Sequence, residues 1–143
     1  MLRLSRQTDY AVRVLLALAK RPLDTLLSTA EVRDEMLIPK AISLRVVAEL
    51  AKGEFIQTFP GRDGGIKLAR PANQINLLQV VERFETNFLI SDCIHANGVC
   101  PFEQSCPVRL RWIHLQKTIT AELENITFED LRQDALAISN LVD

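Results

Sequence analysis

The chain has 143 residues, 48% of them hydrophobic and 24% charged, with a formal net charge of −1; this is the balance of a globular protein with one sizeable core or two small lobes. No apolar run approaches the ~18 residues of a membrane span, and the opening Met1-Leu2-Arg3-Leu4-Ser5-Arg6 lacks the apolar stretch of a secretory signal, so a cytoplasmic protein without membrane contact is expected. The charge is unevenly placed: residues 1–70 hold 12 Lys and Arg against 8 Asp and Glu, and residues 71–143 hold 5 against 10. A basic first half suits an anionic partner such as DNA, and an acidic second half does not.

From Ser5 to Lys20 the apolar residues Ala11, Val14, Leu15 and Leu18 recur at helical spacing, widened by Val12, Leu16 and Ala19. This predicts a core helix ended by Arg21-Pro22. Ser28 and Glu31 form a capping-box pattern for a second helix to about Met36. Leu37-Ile38-Pro39 breaks it, since proline pushes its predecessor out of the helical region. A third helix, about Lys40 to Lys52, carries Leu44, Val47, Ala48 and Ala51 on one face, and Gly53 closes it as a left-handed cap. Two short helices across a tight turn read as a helix-turn-helix.

Phe55–Phe59 and Ile66–Leu68 read as strands joined by Pro60-Gly61-Arg62-Asp63-Gly64-Gly65, a flexible hairpin with a basic tip. Three helices and a β-hairpin wing, in that order, predict a mostly α, winged helix-turn-helix fold. The wing glycines serve turn geometry on one reading. Beside a helix-turn-helix they and Arg62 also make a probe for the minor groove or a phosphate.

Arg70-Pro71-Ala72 marks the joint between a DNA-binding domain, residues 1–70, and residues 71–143, which hold a cysteine loop and dimerisation helices. Asn76 caps the next helix with Gln79 as its N3 partner, and Leu77, Val81, Phe84 and Phe88 form its stripe. All three cysteines, Cys93, Cys100 and Cys106, then fall in one stretch, and each of the last two is followed by proline.

An odd number of cysteines without an export signal argues against a disulfide framework. Scattered cysteines usually behave as small buried hydrophobes, but a complete set in one loop reads better as soft ligands for zinc, cuprous copper or an iron–sulfur cluster. Structural zinc prefers short pairs, whereas the gaps here are six and five residues, wide enough to wrap something larger than one ion. Cys-Pro endings also occur in ferredoxin-like cluster runs. An iron–sulfur cluster is the leading reading, with zinc or a thiol redox switch as alternatives. Pro107 suits the first position of a helix, which makes Cys106 its cap and sets the sulfur where a helix N-terminus lowers thiol pKa.

Val108, Trp112, Leu115, Ile119 and Leu123 repeat at steps of four, three, four and four along a helix from Pro107 to about Glu124, close to a coiled-coil seam. Such a stripe faces a core or a second copy, and helix-turn-helix proteins commonly bind paired half-sites as symmetric dimers. Thr127, with Asp130 three residues on, starts a last short helix.

A winged helix followed by a three-cysteine loop and a long helix resembles the bacterial Rrf-two family of transcription regulators, whose members include the IscR, NsrR and RirA types. The likeness covers essentially the whole chain. Its landmarks are Leu4-Ser5-Arg6-Gln7-Thr8-Asp9-Tyr10-Ala11, Gly61-Arg62-Asp63-Gly64-Gly65 with Leu68-Ala69-Arg70-Pro71, the three cysteines, and Ile126-Thr127-Phe128-Glu129-Asp130-Leu131.

The resemblance implies a homodimer that binds a double-stranded DNA operator, with a cluster on Cys93, Cys100 and Cys106. In NsrR-like members an aspartate near the start of the first helix, from the other protomer, completes a 4Fe-4S site, and Asp9 occupies that place. In IscR-like members a histidine three residues after the last cysteine serves a 2Fe-2S site; that position here is Arg109. A 4Fe-4S cluster is therefore favoured over 2Fe-2S, with His95 and His114 as reserve ligands. The wing and the Cys-Pro step at Cys100 look most like the RirA type. The first cysteine gap is one residue longer than in the IscR and NsrR types. Pro60 stands where many members carry Arg, which passes a minor-groove contact to Arg62.

A cluster-gated repressor answering to iron, nitric oxide or redox state is the expected function. Lys40, Ser43 and Arg45 would face the major groove, and Arg62, Gly64 and Gly65 would form the wing contact. A cluster-free regulator gated by thiols or a protein partner competes with it, as does a small electron-transfer protein. No nucleophile–base pairing, phosphate loop or hydrolase motif suggests an enzyme or a small-molecule substrate.

Overall fold

The computed structural model describes residues 3–95, 98 and 100–143. Helix α1 (Arg6–Ala19) starts on Ser5, whose hydroxyl accepts the Thr8 N–H at 3.3 Å, a conventional N-cap. Its expected stripe, Ala11, Val14, Leu15 and Leu18, is buried, joined by Tyr10, Ala17 and Ala19. Helix α2 (Thr29–Met36) carries both arms of its capping box: Glu31 N–H donates to Ser28 Oγ at 3.1 Å and Ser28 N–H to Glu31 Oε2 at 2.8 Å. The chain leaves α2 through Leu37, which is left-handed at φ 54°. The turn ahead of Pro39 is thus made by Leu37, and Ile38 is buried beneath it.

Helix α3 (Lys40–Lys52) completes the helix-turn-helix, turned differently from the stripe expected for it. Ser43, Val46 and Leu50 form its core face, whereas Leu44 is 62% exposed and Ala48 is exposed. Apolar residues occupy both sides of this helix, so periodicity alone does not choose between them. Gly53 is not the left-handed residue either: its φ is −77° and Glu54 takes φ 62°. Glycine is required at 53 because a Cβ there would lie 2.7 Å from the Phe55 ring.

Strands β1 (Ile56–Phe59) and β2 (Gly65–Leu68) pair antiparallel with Ile56 opposite Leu68 and Phe59 opposite Gly65. Leu27 adds a bridge on the other side of β2, exchanging N–H···O bonds with Ile66 at 3.0 and 2.7 Å. That bridge ties the wing to the approach to α2.

Helix α4 (Leu77–Phe84) has the Asn76–Gln79 capping box and buries Val80 and Val81. It ends at Phe84, so Phe88 lies beyond the helix instead of on its stripe. A short 3-10 turn at Asp92–Ile94 precedes helix α5 (Pro107–Asn125), which buries none of its residues. Helix α6 (Phe128–Val142) runs for 15 residues, longer than the short helix expected, and its first turn is anchored. Phe128 is fully buried, its N–H donates to Ile75 O at 2.9 Å, and Leu77 N–H donates to Ile126 O at 2.9 Å. The hydrophobic core therefore crosses the Arg70-Pro71 joint, taking Ile75, Val80 and Phe128 from beyond it.

Candidate nucleic-acid interface and cysteine loop

Lys40 and Arg45 are exposed near the start of α3, and Arg62 is exposed in the β1–β2 turn. Among the described residues none of the three enters an ion pair. Other cations of this lobe are engaged: Arg21 and Lys20 on Glu35 at 2.6 and 3.1 Å, Lys67 on Asp24 at 3.1 Å, and Arg83 on Glu49 at 2.9 Å. The hydrogen bond from Arg21 holds the Glu35 carboxyl below its ordinary range, outweighing the opposing effect of burial. Ionised Glu35 keeps Lys20 and Arg21 at the α1–α2 corner and away from the reading helix. Free cations thus remain where an anionic partner is expected.

Ser43 belongs elsewhere. It is 1% exposed and its hydroxyl donates to Lys40 O at 2.7 Å, so it packs in the core and does not face DNA. The wing glycines answer first to intrachain packing. A Cβ on Gly64 would lie 1.9 Å from Phe59 O, and one on Gly65, at φ +156°, would lie 2.2 Å from Leu27 O. The exposed residues that complete the outer side of α3 are Ala41, Leu44, Ala48 and Lys52; the small and apolar ones carried no sequence signal for this role.

The cysteine loop is held by polar side chains. Cys93 sits on the 3-10 turn with its sulfur 3.0 Å from Ser91 Oγ, and Cys106 is the N-cap of α5 without a side-chain cap bond. All three cysteines are half-buried free thiols. Arg109, where the IscR-like histidine would stand, turns back to donate from Nε to Cys93 O at 3.0 Å. Its Nη2 lies 3.7 Å from Glu103 Oε1, and Glu103 Oε2 accepts the Gly98 N–H. Gln116 of α5 accepts the Ile90 N–H at 2.9 Å and donates to Phe88 O at 2.8 Å. Beside Cys106 an open hollow of about 730 Å³ is lined by Gly98, Glu103, Arg109 and Leu110.

One contact joins this segment to the reading lobe. Glu85 Oε1 accepts the Ser5 N–H at 2.7 Å and the Thr8 hydroxyl at 2.6 Å, so the chain leaving α4 is bonded to the first turn of α1. Partial burial pushes the Glu85 carboxyl up, but the bonds from Thr8 and Ser5 prevail and hold its pKa below the ordinary value.

Asp9, in the same turn of α1, is exposed and paired with Arg13 at 2.8 Å. His95 and His114 are exposed. Among the described residues no three His, Cys, Asp or Glu side chains stand close enough together to hold a metal ion. The structure thus gathers the thiols in one strapped loop and leaves Asp9 on another element. No helix of the described residues is long and apolar enough to cross a membrane.

A winged helix with free cations on its reading helix defines a DNA-binding regulator by architecture, and comparison gives the family. Residues 4–134 match the Rrf2 family, described as an iron-dependent transcriptional regulator. The chain is 33% identical over 133 residues to an HTH-type transcriptional regulator NsrR of Oceanobacillus iheyensis, covering 90% of this chain and 88% of the relative. It is 36% identical to an NsrR of Halalkalibacterium halodurans, covering 91% and 90%.

The fold matches that of the Bacillus subtilis global cysteine regulator CymR, with a TM-score of 0.77 at 21% identity over 93% of this chain and 98% of that one. It also matches T. potens IscR, with a TM-score of 0.74 at 22% identity over 94% and 88%. The chain belongs to the Rrf2 family of transcription regulators, whose members act on transcription and not as enzymes.

Proposed function

We propose that this chain is a cytoplasmic, homodimeric repressor that binds a double-stranded DNA operator and is gated by an iron–sulfur cluster on Cys93, Cys100 and Cys106. Residues 1–70 read DNA, and residues 71–143 sense and dimerise. The observation that carries the reading is three half-buried free thiols in one loop, which follows Glu85, the residue that bonds the end of α4 to the first turn of α1. The donors fit the group in kind, since soft thiolates suit iron–sulfur chemistry and the family description names iron; binding would have to draw the three thiols closer together than they stand here.

Asp9 of the second copy is the fourth ligand in this proposal, which favours 4Fe-4S over 2Fe-2S. To serve, its carboxylate must release Arg13. When bound, the cluster supplies a crosslink that loss of iron, nitric oxide or oxidation can remove. Residues of the chain carry the consequence. Glu85 holds Ser5 and Thr8, so a shift of the loop reaches the first turn of α1. Helix α1 in turn packs on both α2 and α3. A coupling of ~1–3 kcal/mol suffices for such a switch. Lys40, Arg45 and Arg62 supply phosphate and groove contacts, so binding should fall steeply with salt.

The test is anaerobic purification with iron and sulfide counts, followed by operator binding with and without iron. Bound iron and sulfide, with affinity that changes on their removal and on Cys106→Ser, are expected. Iron-free protein that binds equally well when all three cysteines become serine ends the cluster reading. A thiol switch is the second reading, which the three free thiols of the loop also allow. It predicts iron-free protein whose DNA binding still responds to oxidant.

A further inference from the structure

The outward side of α3 holds a feature that the charged contacts do not use. Ala41, Leu44, Arg45 and Ala48 are spaced three and four residues apart, so they neighbour one another on the helix surface, and all four are exposed. Leu44 is 62% exposed. Just before the helix, Leu37 is 81% exposed in a left-handed conformation at φ 54°. That conformation is unfavourable for a non-glycine residue, and so exposed a side chain recovers little by burial. Among the described residues, two large apolar side chains of the helix-turn-helix, Leu37 and Leu44, therefore stand largely uncovered.

The position selects the occupant. A major groove offers an apolar side chain one distinctive surface, the C5 methyl of thymine. Ala41 and Ala48 have no donor or acceptor with which to read another base edge, and their small size lets the helix backbone approach closely. Exposed Lys40 and Arg45 beside them suit the flanking phosphates and disfavour an apolar protein partner at the same place.

We propose that Leu44 is a specificity-determining residue that packs on a thymine methyl, so each operator half-site carries a thymine beneath it. This rests on the DNA-reading assignment above.

The test selects duplexes from a random pool with the full chain, purified anaerobically. Each thymine of the selected half-site is then replaced by deoxyuridine, which removes only the methyl. One replacement should weaken binding about fourfold, the worth of one buried methyl group. Leu44→Ala should bind the thymine duplex more weakly and be indifferent to that same replacement, with an unchanged thermal melt because the site is exposed.

A wild-type chain indifferent to every replacement overturns the inference. So does a Leu44→Ala chain as sensitive as wild type, or one whose oligomeric state changes. Selection of no duplex at all would instead sink the DNA-reading assignment, so the two failures are distinct.

Discussion

Two stretches of this molecule are built on different terms. From α1 to α4, buried side chains interlock: Val14, Leu15, Val32, Val46, Leu50, Ile66 and Val80 share one core cluster. From Thr86 to Thr127 no described residue is buried. Helix α5 spans 19 residues with no buried one, and Val108, Trp112 and Leu115 of its seam are exposed. Helices in water draw most of their stability from packing an apolar face; α5 packs on α4, and the proposed second copy would cover the seam that remains exposed. What holds the loop beside it is a few side-chain straps, from Glu85, Arg109 and Gln116. A segment with little burial and few hydrogen bonds opens at low free energy. The first stretch is held by its own core together with Phe128 at the start of α6, whereas the described residues from Thr86 to Thr127 bury nothing of their own. That is the division the proposed reading head and sensor would need.

The contrast is tested most severely at Phe128, which comes late in the chain and yet belongs to the first core. Phe128→Ala should lower stability by ~3–5 kcal/mol, read by urea unfolding of the full chain. A loss below ~1 kcal/mol would detach α6 from the reading lobe. Next is Trp112→Glu on the exposed seam. It should weaken self-association by at least ~2 kcal/mol, the scale of an aromatic anchor, seen by sedimentation, and weaken operator binding with it. An unchanged oligomeric state would show that the seam is not the dimer contact.

Much of the first stretch is readable in the sequence because its signals are local. Ser28, Asn76 and Thr127 cap helices as their spacing indicates. The misreadings fall where two local patterns compete or where the cause lies far along the chain. Leu44 and Val46 are both apolar, and only the tertiary packing decides which is buried. Gly53 reads as a cap, but the Phe55 ring is what requires it. In the cysteine loop the thiols and the Cys106 cap are visible at once. The straps are not: Glu85 acts on Ser5 across 80 residues and Gln116 on Phe88 across 28. Arg109 stood out only as a departure from a histidine, and its bond to the Cys93 carbonyl gives it a positive role.

Glu85 sits on the boundary between the two stretches. Glu85→Ala should cost ~1–2 kcal/mol, since two hydrogen bonds to a partly exposed carboxylate are lost. The effect should depend on pH with a definite sign. The folded carboxyl titrates below its ordinary value of 4.5, so its contribution is complete above that value and is lost as pH falls through the lower, folded one. Wild type and variant should therefore differ most near neutrality and converge in acid. A gap that widened in acid would remove Glu85 as an ionised strap.

The smallest expected effect sharpens the comparison furthest, because it separates local from global order. Arg109→Gln removes the bond to the Cys93 carbonyl and the contact with Glu103, which at 3.7 Å is already long. Global stability should change by less than ~1 kcal/mol, as for other partly exposed ion pairs, because the core does not include this region. The stretch between Cys93 and Cys106 should nevertheless open more often, since one of its few straps is gone. Limited proteolysis of the full chain reads that directly: cleavage within the loop should quicken while the thermal melt stays in place. Cleavage at the wild-type rate would mean that the loop is braced without Arg109. A melt that fell in step with faster cleavage would mean that the sensor and the reading head unfold as one unit, and the contrast between them would fail.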